Sequence, residues 1–319
     1  MNLLSTSKPL NLKTFFLLLL SLPVISAPAP GTIWPEGIYS ATIPLKRAGR
    51  LMMLEATIDG VTGNFILDTG SSKLVLNSTY FRNAWTVKGA EAGGVTGASG
   101  TVRRTSVKKL QLSGLTYLNL TADVADLGHI ENRRGVKVLG LFGCCMLCNM
   151  EAVIDASKNQ LQLYRLDKSG KRIGSASGTF RADVKAKLMV LQDVTFVNAT
   201  IGARVLNFCL DTGAESNMLS STCTKKVMST VTILRRSDLC GVGSARGCDM
   251  LIGSLNDFNI GGRKITGMQA LLAGMDQMST FYNFQVDGML GFDFFEQGVI
   301  SLNLVTQEMG IVFRKGGTP

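Results

Sequence analysis

Apolar residues occur along the chain in short runs, separated by turns rich in glycine and polar residues. The runs lie at residues 51–58, 64–67 and 74–76 in the first half and at 194–201, 207–210 and 218–219 in the second. Asp59 and Gly60 divide the first two runs, and Gly202 takes their place in the second half. Short apolar runs bounded by turn residues predict β-strands.

The two sets of runs are also copies in sequence. At an offset of 143 residues, nine of fifteen positions from Ala56 to Gly70 agree with Ala199 to Gly213 without a gap. Each copy ends in the triplet Asp-Thr-Gly, at Asp68, Thr69, Gly70 and at Asp211, Thr212, Gly213. Because glycine allows a tight reversal where a side chain would clash, we predict that each triplet lies in a turn between two strands.

A second sequence recurs downstream of each triplet. The segment Val138-Leu139-Gly140 is similar to Met289-Leu290-Gly291, and the two glycines follow Asp68 and Asp211 by 72 and 80 residues. Similar spacing predicts the same architecture twice. On this alignment Phe142 takes the place of Asp293.

Glycine-rich segments lie between these markers in both halves, around Gly94 and Gly97 and around Gly241 and Gly243. A phosphate-binding loop is the weaker interpretation, because neither segment opens a predicted helix or carries the Lys and Ser or Thr of such loops. We expect two hairpin flaps over a cleft.

Composition indicates a folded, mainly β protein. The 319 residues are 45% hydrophobic and 18% charged and include 35 glycines, which is ample for the cores of two domains. We divide the chain into a signal segment, residues 1–26, a first domain, 27–175, and a second, 176–319.

The signal segment has the order of features of a secretory leader. Lys8 and Lys13 precede an apolar block at residues 15–22, and Ser26 or Ala27 is the expected last residue before cleavage. The block is short for a membrane span, so an uncleaved anchor is the less favoured alternative, and we expect no other transmembrane segment. We therefore expect a periplasmic or secreted protein.

The positive charge of the chain does not indicate an additional binding partner. The formal net charge of +10 falls to +8 without residues 1–26, which hold two Lys and no acidic residue. The remaining Lys and Arg are scattered in pairs such as Arg103-Arg104 and Arg235-Arg236. Nucleic acid is therefore not an expected partner.

Export changes the interpretation of the seven cysteines, since an oxidising compartment favours disulfides. Cys240 and Cys248 flank a turn-rich segment and would staple a hairpin. Cys209 and Cys223 lie on either side of the second triplet and could pair if the chain doubles back. The odd count leaves at least one thiol unpaired in a monomer.

The remaining cysteines include a C-x-x-C pair, Cys145 and Cys148, with Cys144 beside it. Redox chemistry would need a βαβ context that the sequence does not show, so a structural disulfide or buried thiols are favoured. Zinc is weaker still, because His129 is the only histidine and no second C-x-x-C accompanies this one. His129 also lacks the serine motif of a hydrolase triad, and we expect it in a loop or at the surface.

Together these features resemble the aspartic proteases, and among them the bacterial retropepsin-like proteins with two halves in one chain. The resemblance covers about residues 50–315 and rests on the two triplets, on the apolar pair plus glycine of the psi loop, and on the flaps. Residues 287–295 are similar to the closing motif of the family. The resemblance implies an all-β fold of two similar acid-protease β-barrel lobes, related by a pseudo-two-fold axis, with a cleft between them.

The resemblance also implies roles for the residues of each triplet. Asp68 and Asp211 would meet as the catalytic pair, and Thr69 and Thr212 would hold the two turns together by interlocking hydrogen bonds. Ser71, as in pepsin-like enzymes, would bond Asp68. Ala214 matches the retroviral form, while Leu139, Gly140, Leu290 and Gly291 would form the psi loops. Neither flap carries the tyrosine of pepsin-like enzymes, and for Tyr80 and Tyr117 we expect burial.

The chemistry explains why two aspartates are needed. Two carboxylates a few ångström apart cannot both ionise readily, so they share one proton. The ionised group takes a proton from a water that attacks a peptide carbonyl, and its protonated partner donates to the carbonyl oxygen. This predicts an aspartic endopeptidase acting as a monomer on peptides or proteins, without metal or cofactor. An inactive peptide-binding protein on the same fold, or an envelope-interaction protein in which the triplets are merely β-turns, are the alternatives.

Overall fold

The computed structural model of the protein describes residues 31–94, 97–239 and 248–314. The predicted signal segment and the predicted flap residues Gly241 and Gly243 lie outside this part of the chain. Within it, the helices are too short or too polar to cross a bilayer.

Strands make up most of both halves. Those of the first half are β1 (Gly31–Ile33), β2 (Ser40–Pro44), β3 (Lys46–Ala48), β4 (Leu51–Ile58), β5 (Val61–Asp68), β6 (Val75–Asn77), β7 (Trp85–Gly94), β8 (Gly97–Leu112), β9 (Leu115–Ala125), β10 (Gly140–Gly143), β11 (Met150–Asp155) and β12 (Gln160–Arg165). Those of the second half are β13 (Val184–Leu191), β14 (Val194–Ile201), β15 (Arg204–Leu210), β16 (Asn217–Ser220), β17 (Val231–Leu239), β18 (Cys248–Leu255), β19 (Phe258–Ile260), β20 (Arg263–Ile265), β21 (Met268–Ala273), β22 (Gly288–Leu290), β23 (Gly298–Asn303) and β24 (Glu308–Phe313).

Helices are short and lie between the strands. They are α1 (Gly128–Arg134), α2 (Lys225–Met228), α3 (Asp276–Tyr282) and α4 (Phe292–Phe295), with 3-10 turns at Cys144–Leu147 and Gly174–Ala176. The predicted mostly β class is therefore confirmed. The predicted boundary after residue 175 lies within the second 3-10 turn and stays a prediction.

The strand orders of the two halves correspond. The first sheet contains the order β9-β6-β10-β5-β4, and the second contains β21-β16-β22-β15-β14. In both, the hairpin that follows the triplet, β7–β8 or β17–β18, extends the sheet on the side of β9 or β21. We call these two sheets, with the helices on them, the first and second lobes.

A third group of strands joins the lobes. It has the order β2-β12-β11-β23-β24-β13, so three strands from each half lie side by side. Strand β13 continues from this group into the second lobe by pairing with β14. The second lobe and this group therefore form one continuous sheet, whereas the strands of the first lobe form a separate sheet.

The repeated sequence produces repeated burial. Strands β4 and β14 have the same pattern: four buried residues, one exposed, and then a buried residue at the third-last and last positions. Their hairpin registers also agree, since Ile58 pairs with Val61 and Ile201 with Arg204. Ala56 and Ala199 thus face equivalent parts of the core.

The strands of the two predicted psi loops, β10 and β22, which we call the psi strands, show that the alignment of the two loops is wrong by three residues. Strand β10 runs parallel to β5 with Gly140 opposite Phe65, and β22 runs parallel to β15 with Gly288 opposite Phe208. The equivalent of Gly140 is therefore Gly288 rather than Gly291. Accordingly, Gly143 matches Gly291, and Cys145, not Phe142, takes the place of Asp293.

Close packing explains the glycines at the two ends of each psi strand. A Cβ on Gly140 or Gly143 would overlap the carbonyl oxygen of Val75 or Lys73. In the second lobe, a Cβ on Gly291 would lie 2.6 Å from the carbonyl oxygen of Ser216. Both psi strands therefore have the pattern Gly-x-x-Gly, because the neighbouring main chain leaves no room for a side chain.

The predicted disulfide between Cys209 and Cys223 is wrong, and both residues are free thiols. Cys209 lies on β15 in a buried cluster with Phe196 and Met289, whereas Cys223 packs against a different cluster. The chain turns after the triplet, but the two side chains face different parts of the core. Cys144, Cys145 and Cys148 are also free thiols. The side chains of the predicted pair Cys240–Cys248 lie outside the described residues.

The two tyrosines differ in environment. Tyr117 is fully buried, and its hydroxyl donates to the carbonyl oxygen of Met146 at 3.1 Å. Tyr80 is 37% exposed and donates to Glu131, so the expectation of burial is confirmed for Tyr117 and wrong for Tyr80.

Candidate active site

The two Asp-Thr-Gly triplets form equivalent buried turns. Asp68 ends β5, and its Oδ1 accepts hydrogen bonds from the backbone N–H groups of Gly70 at 3.0 Å and Ser71 at 3.1 Å. Asp211 follows β15, and its Oδ1 accepts from Gly213 at 2.8 Å and Ala214 at 3.0 Å. The turn geometry thus fixes one oxygen of each carboxyl group and leaves the other oxygen for chemistry.

The threonines lock the two turns to each other. The Thr69 hydroxyl donates to the carbonyl oxygen of Leu210 at 2.9 Å and accepts from the N–H of Thr212 at 3.0 Å. Thr212 does the same in return, donating to Leu67 at 2.8 Å and accepting from Thr69 N–H at 3.0 Å. Four buried hydrogen bonds between the lobes therefore join segments 143 residues apart.

This arrangement brings the two carboxyl groups together. A Cβ built on Gly70 would lie 2.5 and 2.7 Å from the two carboxylate oxygens of Asp211. Asp68 and Asp211 are both about 1% exposed and lie within hydrogen-bonding reach of each other. A hydrogen bond between two carboxyl groups requires that one of them holds a proton.

Burial controls the protonation of the pair. Burial raises the pKa of Asp68 well above its usual value, and the neighbouring charge of Asp211 raises it further. Burial also raises the pKa of Asp211, to about 6, while hydrogen bonds from Asp68 and from backbone N–H groups oppose this rise. Two buried carboxyl groups with pKa values raised in this way share one proton at neutral pH.

The residues after each triplet differ from the prediction in one respect. The hydroxyl of Ser71 donates to the carbonyl oxygen of Lys73 at 3.3 Å instead of bonding Asp68. Its backbone N–H makes the bond to Asp68, so a side-chain hydroxyl is not needed. Ala214 uses its backbone N–H in the same way, which explains how the two lobes can differ here.

Hydrogen bonds connect the psi strands to the Asp-Thr-Gly turns and to the strands that follow them. The N–H of Asp211 donates to the carbonyl oxygen of Leu290 at 3.0 Å. The N–H of Gly291 donates to the side chain of Asn217 at 2.9 Å. In the first lobe, Leu139 accepts from Asn77 N–H at 2.8 Å, as Asp287 accepts from Ser220 N–H at 2.7 Å. Leu290 and Gly291 thus contact the second Asp-Thr-Gly turn, whereas Leu139 lies three residues before the position that corresponds to Leu290.

Hairpins extend from both lobes where flaps were predicted. In the first lobe, β7 and β8 pair up to Gly94 opposite Gly97, and the second lobe's helix α3 lies against β7. In the second lobe, β17 pairs with β18 from Val231 opposite Leu255 to Leu239 opposite Cys248. The first hairpin therefore reaches the opposite lobe.

Sequence reasoning did not single out a group of charged side chains behind the second triplet. Arg50 pairs with Asp293 at 2.8 Å, and Arg134 pairs with Glu215. Asp293 lies in the closing motif and Glu215 follows the second triplet, but a single sequence does not show the partners of either residue.

No metal-binding group is evident among the described residues, in which no three His, Cys, Asp or Glu side chains converge. His129 lies half-buried on α1 rather than in a loop.

Comparisons with known proteins agree with this architecture. Residues 54–144, which include the first triplet and the first psi strand, match a family model described as Aspartyl protease. The structure is similar to an aspartic proteinase from Irpex lacteus, with a TM-score of 0.50, 12% identity, and coverage of 86% of this chain and 98% of that chain. It also matches Basic 7S globulin from soybean at a TM-score of 0.47 and 9% identity, covering 86% and 95% of the two chains. None of the curated proteins matches the sequence.

The fold is the two-lobed fold of an aspartic proteinase. The match to the aspartyl protease family model is confined to residues 54–144, within the first lobe, and the likeness over the whole chain is one of fold.

Proposed function

We propose that this protein is an aspartic endopeptidase that hydrolyses peptide bonds with a water activated between Asp68 and Asp211. The observation that carries the proposal is the pair of interlocked turns, which holds two buried carboxyl groups together. Burying two acids side by side lowers stability, because burial disfavours their ionised forms, and a proton-sharing catalytic pair is a function that needs this arrangement.

The unequal environments assign a role to each aspartate. Asp211 holds the negative charge and acts as general base, taking a proton from the water as the water oxygen attacks the peptide carbonyl carbon. Asp68 holds the proton and donates it to the carbonyl oxygen, giving a neutral tetrahedral intermediate. Collapse of this intermediate breaks the C–N bond: the newly protonated Asp211 donates its proton to the leaving nitrogen, and the ionised Asp68 takes a hydroxyl proton from the intermediate, which restores the starting protonation of the pair.

Peptide cleavage by purified protein tests the proposal. Asp68→Asn and Asp211→Asn should each lower kcat by at least about a thousandfold. In each variant one carboxyl group is replaced by an amide, which can neither donate nor accept the proton that the reaction transfers. Asp257→Asn is the matched control, since Asp257 pairs with Lys264 at the surface and should leave kcat unchanged. Turnover by either dyad variant equal to that of the unaltered protein would contradict the mechanism. Peptide binding without cleavage would instead support the inactive alternative.

The pH dependence gives a second test. Below about pH 6 both aspartates are protonated, so no base is present, and kcat/KM should rise with an apparent pKa of about 6. Initial rates between pH 3 and pH 9 measure this rise, which is the acid limb of the pH–rate profile. Full activity at pH 3 would contradict the assignment of the charge.

We also propose that the protein is exported as a monomer after removal of residues 1–26. The support is the order Lys8, Lys13, apolar block and small residues at the amino end. Amino-terminal sequencing of protein recovered outside the cytoplasm should begin at Ala27 or Pro28. A retained Met1 would contradict cleavage.

A further inference from the structure

Two arginines of the first lobe reach across to the segment that follows the second triplet. Arg50 lies in the turn between β3 and β4, and Arg134 is the last residue of α1. Arg50 contacts Glu215 and Ser216, and Arg134 contacts Glu215; these two residues follow Asp211 by four and five positions. We call Arg50, Arg134, Glu215 and Asp293 the cross-lobe ion cluster.

Arg50 contacts both main-chain and side-chain oxygen atoms of the second lobe. Its Nη1 lies 2.8 Å from Asp293 Oδ1, 3.0 Å from the carbonyl oxygen of Glu215 and 3.3 Å from Ser216 Oγ. These three acceptors belong to the catalytic turn and to α4, which follows the psi strand. Arg50 thus joins the two second-lobe segments that support Asp211 to the first lobe.

Arg134 makes the second link. It forms a charge-assisted hydrogen bond with Glu215, whose side chain is only 5% exposed. Burial raises the pKa of Glu215, and Arg134 is the largest influence opposing that rise. The guanidinium also lies over Gly49, where a Cβ would be 2.7 Å from Nη1. The turn between β3 and β4 therefore contains Arg50 and, through Gly49, contacts the guanidinium group of Arg134.

The corresponding place in the first lobe has no such ion pairs. By the repeat, Ser72 takes the position of Glu215, Cys145 that of Asp293, and Asp193 that of Arg50. Burial raises the pKa of the Cys145 thiol to about 12, and the charge of Asp193 nearby adds to this rise. The geometry is thus repeated, but charge complementarity occurs on one side only.

We propose that the cross-lobe ion cluster is a positioning device for Asp211, which sets the separation of the two catalytic carboxyl groups. The proposal rests on the proposed function. The threonine bonds fix the main chain of the two turns, and the cluster fixes the segment just behind the second turn against the first lobe. Ala214 connects the two, since its N–H bonds Asp211 and its carbonyl accepts from Phe292 of α4.

The test replaces buried charges by apolar side chains in pairs, because a single substitution would leave an unpaired buried charge and could prevent folding. The variant is Arg134→Met with Glu215→Leu. The matched control is Lys185→Met with Glu308→Leu, which removes an exposed pair at 2.6 Å between β13 and β24. Arg134→Lys is the conservative variant.

In the cluster variant, kcat should fall roughly 10- to 100-fold with KM nearly unchanged, because small misplacements of catalytic groups have effects of this size. The alkaline limb of the pH–rate profile should move to lower pH by on the order of one unit, since more distant carboxyls couple less. Arg134→Lys should recover part of kcat, and the control pair should change neither quantity.

Carboxyl ¹³C NMR of aspartate-labelled protein measures the titration of the pair without turnover. An unchanged kcat, or a lower kcat with unchanged titration of both aspartates, would overturn the positioning role. If the unaltered protein cleaves no peptide, the proposed function fails, while the NMR titration still shows whether the cluster sets the coupling of Asp68 and Asp211.

Discussion

Gly70 of the first lobe lies directly against the carboxyl group of Asp211 in the second lobe. Any Cβ there would lie 2.5 Å from an oxygen of Asp211, which is well inside contact distance. We expect Gly70→Ala to push the second turn away and to lower kcat/KM by more than about a hundredfold. Gly31→Ala is the control, because no atom lies within 4 Å of the added methyl group. Equal activity of Gly70→Ala and the unaltered protein would contradict this geometry.

Thr69 contributes through its hydroxyl alone. In Thr69→Val the buried N–H of Thr212 and the carbonyl of Leu210 both lose their partner. The free energy of unfolding should fall by about 2 kcal/mol or more, because each unpaired buried group costs 1–3 kcal/mol. Urea denaturation measures this, with Thr57→Val as the control, since its hydroxyl bonds that of Thr62 on an exposed hairpin. A loss equal to that of the control would refute the interlock.

At the scale of single residues, the sequence predicted the aspartates and threonines well. The repeat with its two triplets pointed to Asp68, Asp211, Thr69 and Thr212, and the structure brings all four together. The hydroxyl of Ser71 was assigned wrongly, because a backbone N–H makes the expected bond. A motif gives the residue type but does not show which atom acts.

The psi strands are the elements on which the turns rest. In Gly143→Ala the new methyl group would overlap the carbonyl of Lys73 and lie 2.8 Å from that of Ser71. Neither is a flexible side chain, so we expect a loss of at least about 3 kcal/mol in stability or failure to fold. Thermal unfolding compares it with Gly274→Ala, where the nearest atom lies 3.8 Å away. Similar melting temperatures for the two variants would contradict the close packing.

Element boundaries were predicted better than element pairing. The runs 51–58 and 194–201 are strands with the same bounds. The psi alignment was wrong by three residues because the sequence offers two candidate glycines in each psi loop. Only the pairing of Gly140 with Phe65 and of Gly288 with Phe208 decides between them.

The buried dyad should affect the stability of the whole molecule. The folded-state pKa of Asp211 is about 6, above that of the unfolded chain, so the unfolded state ionises first as pH rises. This favours unfolding above about pH 4, and the cost grows until the folded pKa is passed. Asp211→Asn should therefore raise the free energy of unfolding at pH 7 by on the order of 1–3 kcal/mol, with the difference vanishing near pH 3.

Urea unfolding at pH 3, 5 and 7 measures this difference. Asp257→Asn is the control of opposite sign, because Lys264 lowers the pKa of Asp257. A stability difference for Asp211→Asn that is independent of pH would contradict a raised pKa.

By itself, the sequence determined the duplicated strands and the two Asp-Thr-Gly turns. These are local or periodic properties, and a repeat at a fixed offset of 143 residues makes them visible twice. The tertiary structure alone decided the separation and protonation of Asp68 and Asp211, the free state of Cys209 and Cys223, and the partners of Arg50 and Arg134. Each depends on contacts between residues far apart in the chain, and burial, which sets the pKa of both aspartates, exists only once the lobes have come together.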